Sequence, residues 1–441
     1  MKPSDITAVD FFCGCGGSTT GAVEAGVRVT HAVNHEQIAI ASHNTNYPDT
    51  DHDCVDVTQI PANRYPEATL GLFSPECGGH GTAAGKKRVV GQLSLFEQEQ
   101  ADIGRERSRM TMMEVCRFTE ALNFQYVIVE NVPEVTRWYL FDQWLYELTK
   151  LGYKHKIVSF NSQFAYPIPQ SRDRVYIHFW RKGNRAPNLE YKPTGFCATC
   201  NKSVSTYQHW KNQRITVGRY RQQYVYRCDR CFNVVEPDVA SAASIVNWDL
   251  VCPKIGDRIQ PLRTATLKRI EIGLQKYGIP FLAELYGTGT ARSLEKPIGT
   301  ITTSGAHHAL VAHPSFLVQY NGKSHASSLS EPLPTITTVD RCGLVDAHFL
   351  LQYYGRESAA SSTTKPLPTI TTENRHALIQ CAHEVLECGF RMLQPAELKL
   401  GMGFQESYVV LGNKKQQVKQ VGNAVTPGAL KWQIERAIES L

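Results

Sequence analysis

Four cysteines, spaced Cys197-x2-Cys200 and Cys228-x2-Cys231, carry the most specific local chemical signal in the chain. Thiolates at that spacing form the two knuckles of a small ribbon and fill the tetrahedral sphere of a zinc ion, which leaves no position for water and makes the metal structural. The competing readings are unmetallated or redox-active thiols. From Lys202 to Arg230, seven basic side chains stand against one acid, Asp229, and interleave with aromatic residues such as Tyr207, Trp210 and Tyr220. That composition suits a phosphate-contacting surface, or a solvated ribbon with an aromatic core. Cys77 is a different kind of cysteine, set in the Gly-rich run Ser-Pro-Glu-Cys-Gly-Gly-His-Gly. A thiol on such a turn is mobile and accessible, as a nucleophile must be, whereas most lone cysteines are buried and inert. Glu130 ends an apolar run, YVIVENV, where an open α/β sheet keeps its functional groups, although a helix N-cap would use the same residue. Arg172 and Arg174 alternate in PQSRDRVYI and could present two guanidinium groups on one face of a strand to a phosphate or a base oxygen.

The elements that must position these groups can be read from the pattern around them. ITAVDFF is a strand, CGCGG a tight turn and TTGAVEAG a helix, so the loop Asp10 to Gly17 brings backbone close to a ligand, with Phe12 placed to stack on a ring. YVIVENV, the helical stretch LFDQWLYELTKLG, and the runs HKIVSF and RVYIHFW continue the alternation. This pattern predicts an α/β fold, a mostly parallel sheet with helices on both faces. Residues 86–109 are polar and charged and read as a mobile loop. Further on, EKPIGTITTSGAHHALV, SEPLPTITTVDRCGLV and TKPLPTITTENRHALI place Thr300, Thr335 and Thr369 at spacings of 35 and 34, each after an aromatic stretch: PFLAELYG, SFLVQYNG and HFLLQYYG. Three copies predict three small β-rich units that bury their apolar faces beside one another, either as spacers or as a binding surface.

Composition excludes several classes. The 441 residues are 42% hydrophobic and 20% charged, with a formal charge of +6. No apolar run reaches the ~20 residues of a membrane span, and the first residues, MKPSDITAVDFF, lack a secretory leader pattern. Thirteen mostly scattered cysteines fit reduced thiols. The expected location is therefore the cytoplasm, with no membrane partner.

In their order, these motifs resemble those of the DNA cytosine-5 methyltransferases. DFFCGCGGSTTG is similar to that family's first motif, SPEC to its Pro-Cys nucleophile loop, ENV to its Glu-Asn-Val and QSRDR to its Gln-x-Arg-x-Arg; RMLQPAELKLGMGF and QVGNAVTP resemble its last two motifs. The resemblance covers residues 5–180 and 388–441. It implies a Rossmann-like catalytic domain over 1–180, a target-recognition region over 181–386 with a zinc ribbon at 195–235 and repeats at 280–380, and a return to the catalytic domain over 387–441.

The resemblance further implies S-adenosylmethionine as methyl donor and double-stranded DNA as partner, bound by a monomer. Cys77 would add to C6 of a flipped-out cytosine, Glu130 would serve N3, and Arg174 with Arg172 would hold the base and its phosphate. Phe12, Gly14, Gly16, Asp56 and Asn423 would contact the cofactor. Asn34 stands where the family usually has an acidic ribose ligand, with Glu36 two residues on, and Glu76 replaces the proline beside the nucleophile. Methylation of RNA, or a DNA-binding homologue with weakened chemistry, are the alternatives.

Overall fold

Runs of apolar residues without polar alternation make strands that are covered on both faces. In the computed structural model such runs form the middle of a seven-stranded sheet. Its strands are β1 (Thr7–Phe11), β2 (Arg28–Asn34), β3 (Asp51–Cys54), β4 (Leu70–Phe73), β5 (Tyr126–Asn131), β6 (Tyr153–Asn161) and β7 (Asp173–Arg181). The order is β3-β2-β1-β4-β5-β7-β6. The neighbours from β3 to β5 are parallel, and β7 runs antiparallel to both β5 and β6. Residues 5–76, 106–166, 168–240 and 389–441 are described, together with shorter segments between 242 and 386.

Strand alternation sorts the core into two layers. Val9, Phe11, Phe73, Val127 and Val129 point to one face, which α3 (Met113–Leu122) and α4 (Phe141–Lys150) cover with Phe118, Leu122, Trp144 and Leu148. Ala8, Leu70, Leu72, Tyr126 and Ile128 point to the other, which is closed by Ala22 of α1 (Gly17–Glu24) and by Leu430 and Ile434 of α7 (Pro427–Ile438). Each fully buried large side chain contributes roughly 1.5–3 kcal/mol. α1 meets the start of α7 almost backbone to backbone, because a Cβ on Gly17 would lie 2.0 Å from the Val425 carbonyl oxygen. Further helices are α2 (Gln37–Asn46), α5 (Pro395–Gly401) and α6 (Lys414–Asn423). The expected α/β sheet with helices on both faces is therefore present. Among the described residues, no helix is long and apolar enough to cross a membrane.

The cysteine pairs lie on a three-stranded antiparallel ribbon of β8 (Thr194–Cys197), β9 (Lys202–Trp210) and β10 (Tyr224–Cys228), with β9 in the middle. The chain divides into two compact units, and the ribbon falls in the first, which comprises Met1–Ile245, Glu295–Ala306 and Gln394–Leu441.

The second unit comprises Val246–Leu294 and His307–Leu393. Its described strands form three antiparallel sets. β11 (Phe281–Glu284) pairs with β12 (Ala291–Ser293) and β13 (His308–Ala312). β14 (Phe316–Gln319) pairs with β15 (His325–Ser328) and β16 (Cys342–Val345). β17 (Leu350–Tyr354) pairs with β18 (Glu357–Ser361) and β19 (His376–Leu378). β20 (Gly389–Met392) joins the first set beside β13. In each set the central strand falls on one of the aromatic stretches of the sequence repeat. Thr335 and Thr369 lie outside the described residues.

Candidate active site

β1 ends in a turn that reverses direction through left-handed backbone at Phe12 (φ 59°), Gly14 (φ 56°) and Gly16 (φ 103°). Left-handed geometry is natural for glycine and uncommon for phenylalanine, so Phe12 is held there by its surroundings. Asp10 forms the floor of the turn. It is buried and accepts hydrogen bonds from the hydroxyls of Ser18 and, at 2.8 Å, Thr19. Burial pushes its carboxyl up to about 7 despite these donors.

Over this turn lies a cleft of about 220 Å3 whose lining includes Phe12, Asn34, His35, Asp56, Thr58 and Glu76. It opens at the carboxyl ends of parallel strands, where doubly wound sheets bind ligands. Phe12, Asn34 and Asp56, expected from the sequence to contact a cofactor, are thus brought together, while Gly14 and Gly16 shape the turn beneath. Asn34 Oδ1 accepts the Glu36 N–H at 2.8 Å, and Glu36 pairs with Lys419 of α6 at 2.9 Å. Asp56 caps the short turn Val57–Gln59 through the Thr58 N–H at 3.0 Å and hydroxyl at 2.7 Å, with Arg107 at 3.3 Å. Burial raises the Asp56 carboxyl, but these partners outweigh it and hold it below the usual carboxylate value. Asn423 is exposed at the end of α6 and does not line the cleft. His35 and Arg107 line it without having been anticipated: His35 carried no motif, and Arg107 lies in the segment that read as a polar loop.

A second group forms one strand along. Cys77 itself lies outside the described residues, but the chain leading to it is anchored. Ser74 donates its N–H to the Phe11 carbonyl at 3.2 Å, the Pro75 carbonyl accepts from Asn131 Nδ2 at 3.2 Å, and the Glu76 N–H meets Thr111 Oγ1 at 3.2 Å. Asn131 ends β5 beside Glu130. Arg174 Nε lies 2.8 Å from Glu130 Oε1, an ion pair placed off the hydrogen-bonding direction, with both side chains nearly enclosed. The structure therefore joins Glu130 to Arg174. Arg172, one residue before β7 begins, turns instead to the C-terminal segment and donates to the carbonyls of Gly422 at 3.0 Å and Ala424 at 3.1 Å.

The four ribbon cysteines converge, with all four sulfurs within 4.8 Å of one another. Cys197 and Cys231 sulfurs are 3.5 Å apart, and those of Cys200 and Cys228 are 3.8 Å apart. Sulfurs 2.3 Å from a common tetrahedral ion lie roughly 3.8 Å apart, so the set fits a metal–thiolate centre. Both knuckles place a left-handed residue after their second cysteine, Asn201 (φ 50°) and Phe232 (φ 61°). The N–H groups of Cys231 and Arg230 point at the Cys228 sulfur and hold its thiol down at about 7. The ribbon's aromatic residues are largely a core: Tyr220, Tyr224 and Tyr226 are buried with Phe164. Exposed phosphate-contacting potential is left to the basic residues, among them Lys202, Lys211 and Arg214.

A family model described as C-5 cytosine-specific DNA methylase matches residues 6–232. The type II methyltransferase M.HgiDI of Herpetosiphon aurantiacus is 25% identical over 238 residues, which span 53% of this chain and 70% of that protein. Among solved structures, the Entamoeba histolytica methyltransferase EhMeth superposes with a TM-score of 0.51 at 13% identity, covering 98% of both chains. The S. pombe Dnmt2 methyltransferase does so with a TM-score of 0.51 at 13% identity, again over 98% of both. At that identity the two structures show the shared fold.

Proposed function

The chain belongs to the C-5 cytosine-specific DNA methylase family, and from that premise we propose that it transfers a methyl group to C5 of cytosine, in a specific sequence of double-stranded DNA. The observation that supports this reading most is the convergence, at the ends of adjacent strands β4 and β5, of the anchored Pro75–Glu76 segment with Asn131, Glu130 and Arg174, next to the cleft of Phe12, Asn34 and Asp56. An electron-rich aromatic at Phe12 and an ionised carboxylate at Asp56 suit a cationic nucleoside. S-adenosylmethionine bound there supplies the electrophilic methyl group.

The chain's own residues make the base reactive. The Cys77 thiolate forms a bond to C6, and the C5–C6 π electrons move to C5 as N3 takes up a proton from solvent, relayed through the Glu130 carboxyl. Arg174 fixes the Glu130 carboxyl and adds positive charge beside the base. Once C5 carries the methyl group, loss of the C5 proton to solvent expels the Cys77 sulfur, restores the C5–C6 double bond and returns the N3 proton. A stacked base cannot reach these groups, so the cytosine must be flipped out.

In this reading Arg172 acts by holding the 422–424 segment against β7, and the four cysteines hold one structural zinc ion. The ribbon's basic face and the three strand sets of the second unit supply sequence recognition. Because the reacting groups act on the base alone, cytosine in RNA is the competing substrate and enters the test in parallel. Nucleoside mass spectrometry on DNA and RNA treated with the protein and S-adenosylmethionine is expected to find 5-methylcytosine in DNA, absent with Cys77→Ala. The modified base in RNA alone would move the substrate to RNA, and its absence from both would refute the proposal.

A further inference from the structure

The loop joining β9 to β10 reaches away from the cysteine knuckles and ends against the catalytic sheet. Two of its consecutive residues touch opposite flanks of the Glu130–Arg174 pair. Arg219 donates through Nη2 and Nε to Glu134 Oε1, at 2.7 and 3.2 Å, and Glu134 stands in the short turn Pro133–Arg137 directly after the Glu130-Asn131-Val132 segment. The Tyr220 N–H donates at 2.9 Å to Oδ1 of Asp173, the residue between Arg172 and Arg174. The same Asp173 oxygen accepts Asn161 Nδ2 at 2.9 Å, which ties the start of β7 to the end of β6. We propose that this loop of the ribbon is a positioning device for the catalytic pair, with Arg219 and Tyr220 fixing where Glu130 and Arg174 meet; the inference rests on the function proposed above.

The loop is built to hold such a position. The Tyr220 ring is packed edge-on against Phe164 at a centroid distance of 4.9 Å, inside the cluster with Tyr224 and Tyr226. That packing leaves its backbone N–H little freedom. The loop closes on itself through the Arg219 N–H to Gln223 Oε1 at 2.8 Å and the Gln223 N–H to the Arg219 carbonyl at 2.9 Å. It also docks on β6, where the Gly218 N–H donates to Ser159 Oγ at 3.0 Å, beside the bond from Gln208 Nε2 of β9 to the Ser159 carbonyl at 3.2 Å. The Glu134 side chain is only 13% exposed and Arg219 36%, so the pair is partly shielded, and a guanidinium that directs two N–H groups at one carboxylate oxygen is favoured over a lysine ammonium. Without it, the turn after Glu130 loses a lateral constraint. A displacement of about 1 Å at a reacting group can cost on the order of a hundredfold in rate, so a fraction of that shift is expected to be visible.

The test is single-turnover methyl transfer by the full-length protein at saturating S-adenosylmethionine, with cofactor affinity and melting temperature measured on the same samples. Arg219→Ala is expected to slow the methyl-transfer step about tenfold while changing the cofactor Kd less than about twofold, and Arg219→Lys to recover part of the rate. Arg219→Ala combined with Glu134→Ala should be no slower than Arg219→Ala alone, since both remove one interaction. An unchanged rate in Arg219→Ala would overturn the proposal, as would a loss matched by weaker cofactor binding or a smaller folded fraction. A parent protein that methylates neither DNA nor RNA would instead overturn the function itself, and this inference with it.

Discussion

Asp10 shows how a single buried group leaves a readable mark on stability. Its carboxyl is raised from 3.8 to about 7, chiefly by burial. The folded chain then keeps a proton that the unfolded chain has released, so the group favours folding fully below about pH 4, and this contribution is lost as pH rises through about 7. His43, bonded at 2.9 Å to the same Thr19 hydroxyl, acts in the opposite sense. Burial lowers it to about 3, so stability is lost as pH falls from its ordinary value of 6.5 towards 3. The informative quantity is therefore the difference between Asp10→Asn and the parent. Urea unfolding at a series of pH values is expected to show the variant gaining on the parent between pH 4 and 7, and a constant difference would contradict the raised carboxyl. Residues of this kind were partly legible in the sequence. Glu130 could be placed at a strand end and Arg174 on a strand face, but their pairing could not be read, since it depends on β7 lying beside β5. Arg172 could not be separated from Arg174, because its carbonyl acceptors come from positions 250 and 252 residues away.

At the scale of elements, the ribbon and the α1–α7 contact each carry an expectation. Removing metal from the four cysteines would leave thiolates packed together with no ion between them, and the small cluster formed by Cys197, Val204, Cys228 and Val235 is too little core to hold the knuckles alone. A strong chelator is therefore expected to release about one zinc per chain and open residues 194–240 to protease while cofactor binding persists. Freshly purified protein free of zinc by elemental analysis would remove the metal assignment. At the other contact, Gly17→Ala would drive a methyl group into the Val425 carbonyl, 2.0 Å from the ideal Cβ position. A loss of about 3 kcal/mol in unfolding free energy is expected, and a change under about 0.5 kcal/mol, as at an ordinary surface site, would show that the helices can separate cheaply. The strand–turn–helix order here was visible from ITAVDFF and CGCGG. The need for glycine at position 17 was not, since it arises from backbone that follows four hundred residues later. Tyr220, Tyr224 and Tyr226 were ambiguous for a related reason: alternation with basic residues fits a binding face or a core strand, and burial beside Phe164 resolved these three as core.

Across the whole molecule, hydrophobic patterning revealed part of the sheet, because β1 and β5 are buried on both faces and read as mostly apolar runs. It said less about which segments share a unit. Position along the chain groups the cysteine pairs with the repeats, whereas Tyr220–Asp173 and Arg219–Glu134 tie the ribbon to the sheet. The repeats were legible as a period but not as pairings, since hairpin partners such as HASS and ESAAS carry little apolar signal. The return of residues 394–441 to the first unit also bears on how the protein is made. Leu430 and Ile434 complete the second core layer, and the carbonyls of Gly422 and Ala424 hold the Arg172 guanidinium. At about 5–20 residues per second on the ribosome, Arg172 waits on the order of ten to fifty seconds for those partners to be synthesised. During that interval the nascent sheet presents Leu70, Leu72, Tyr126 and Ile128 without their cover, so chaperone demand should peak late in translation, and a chain broken off within it would yield a sticky fragment rather than a smaller enzyme.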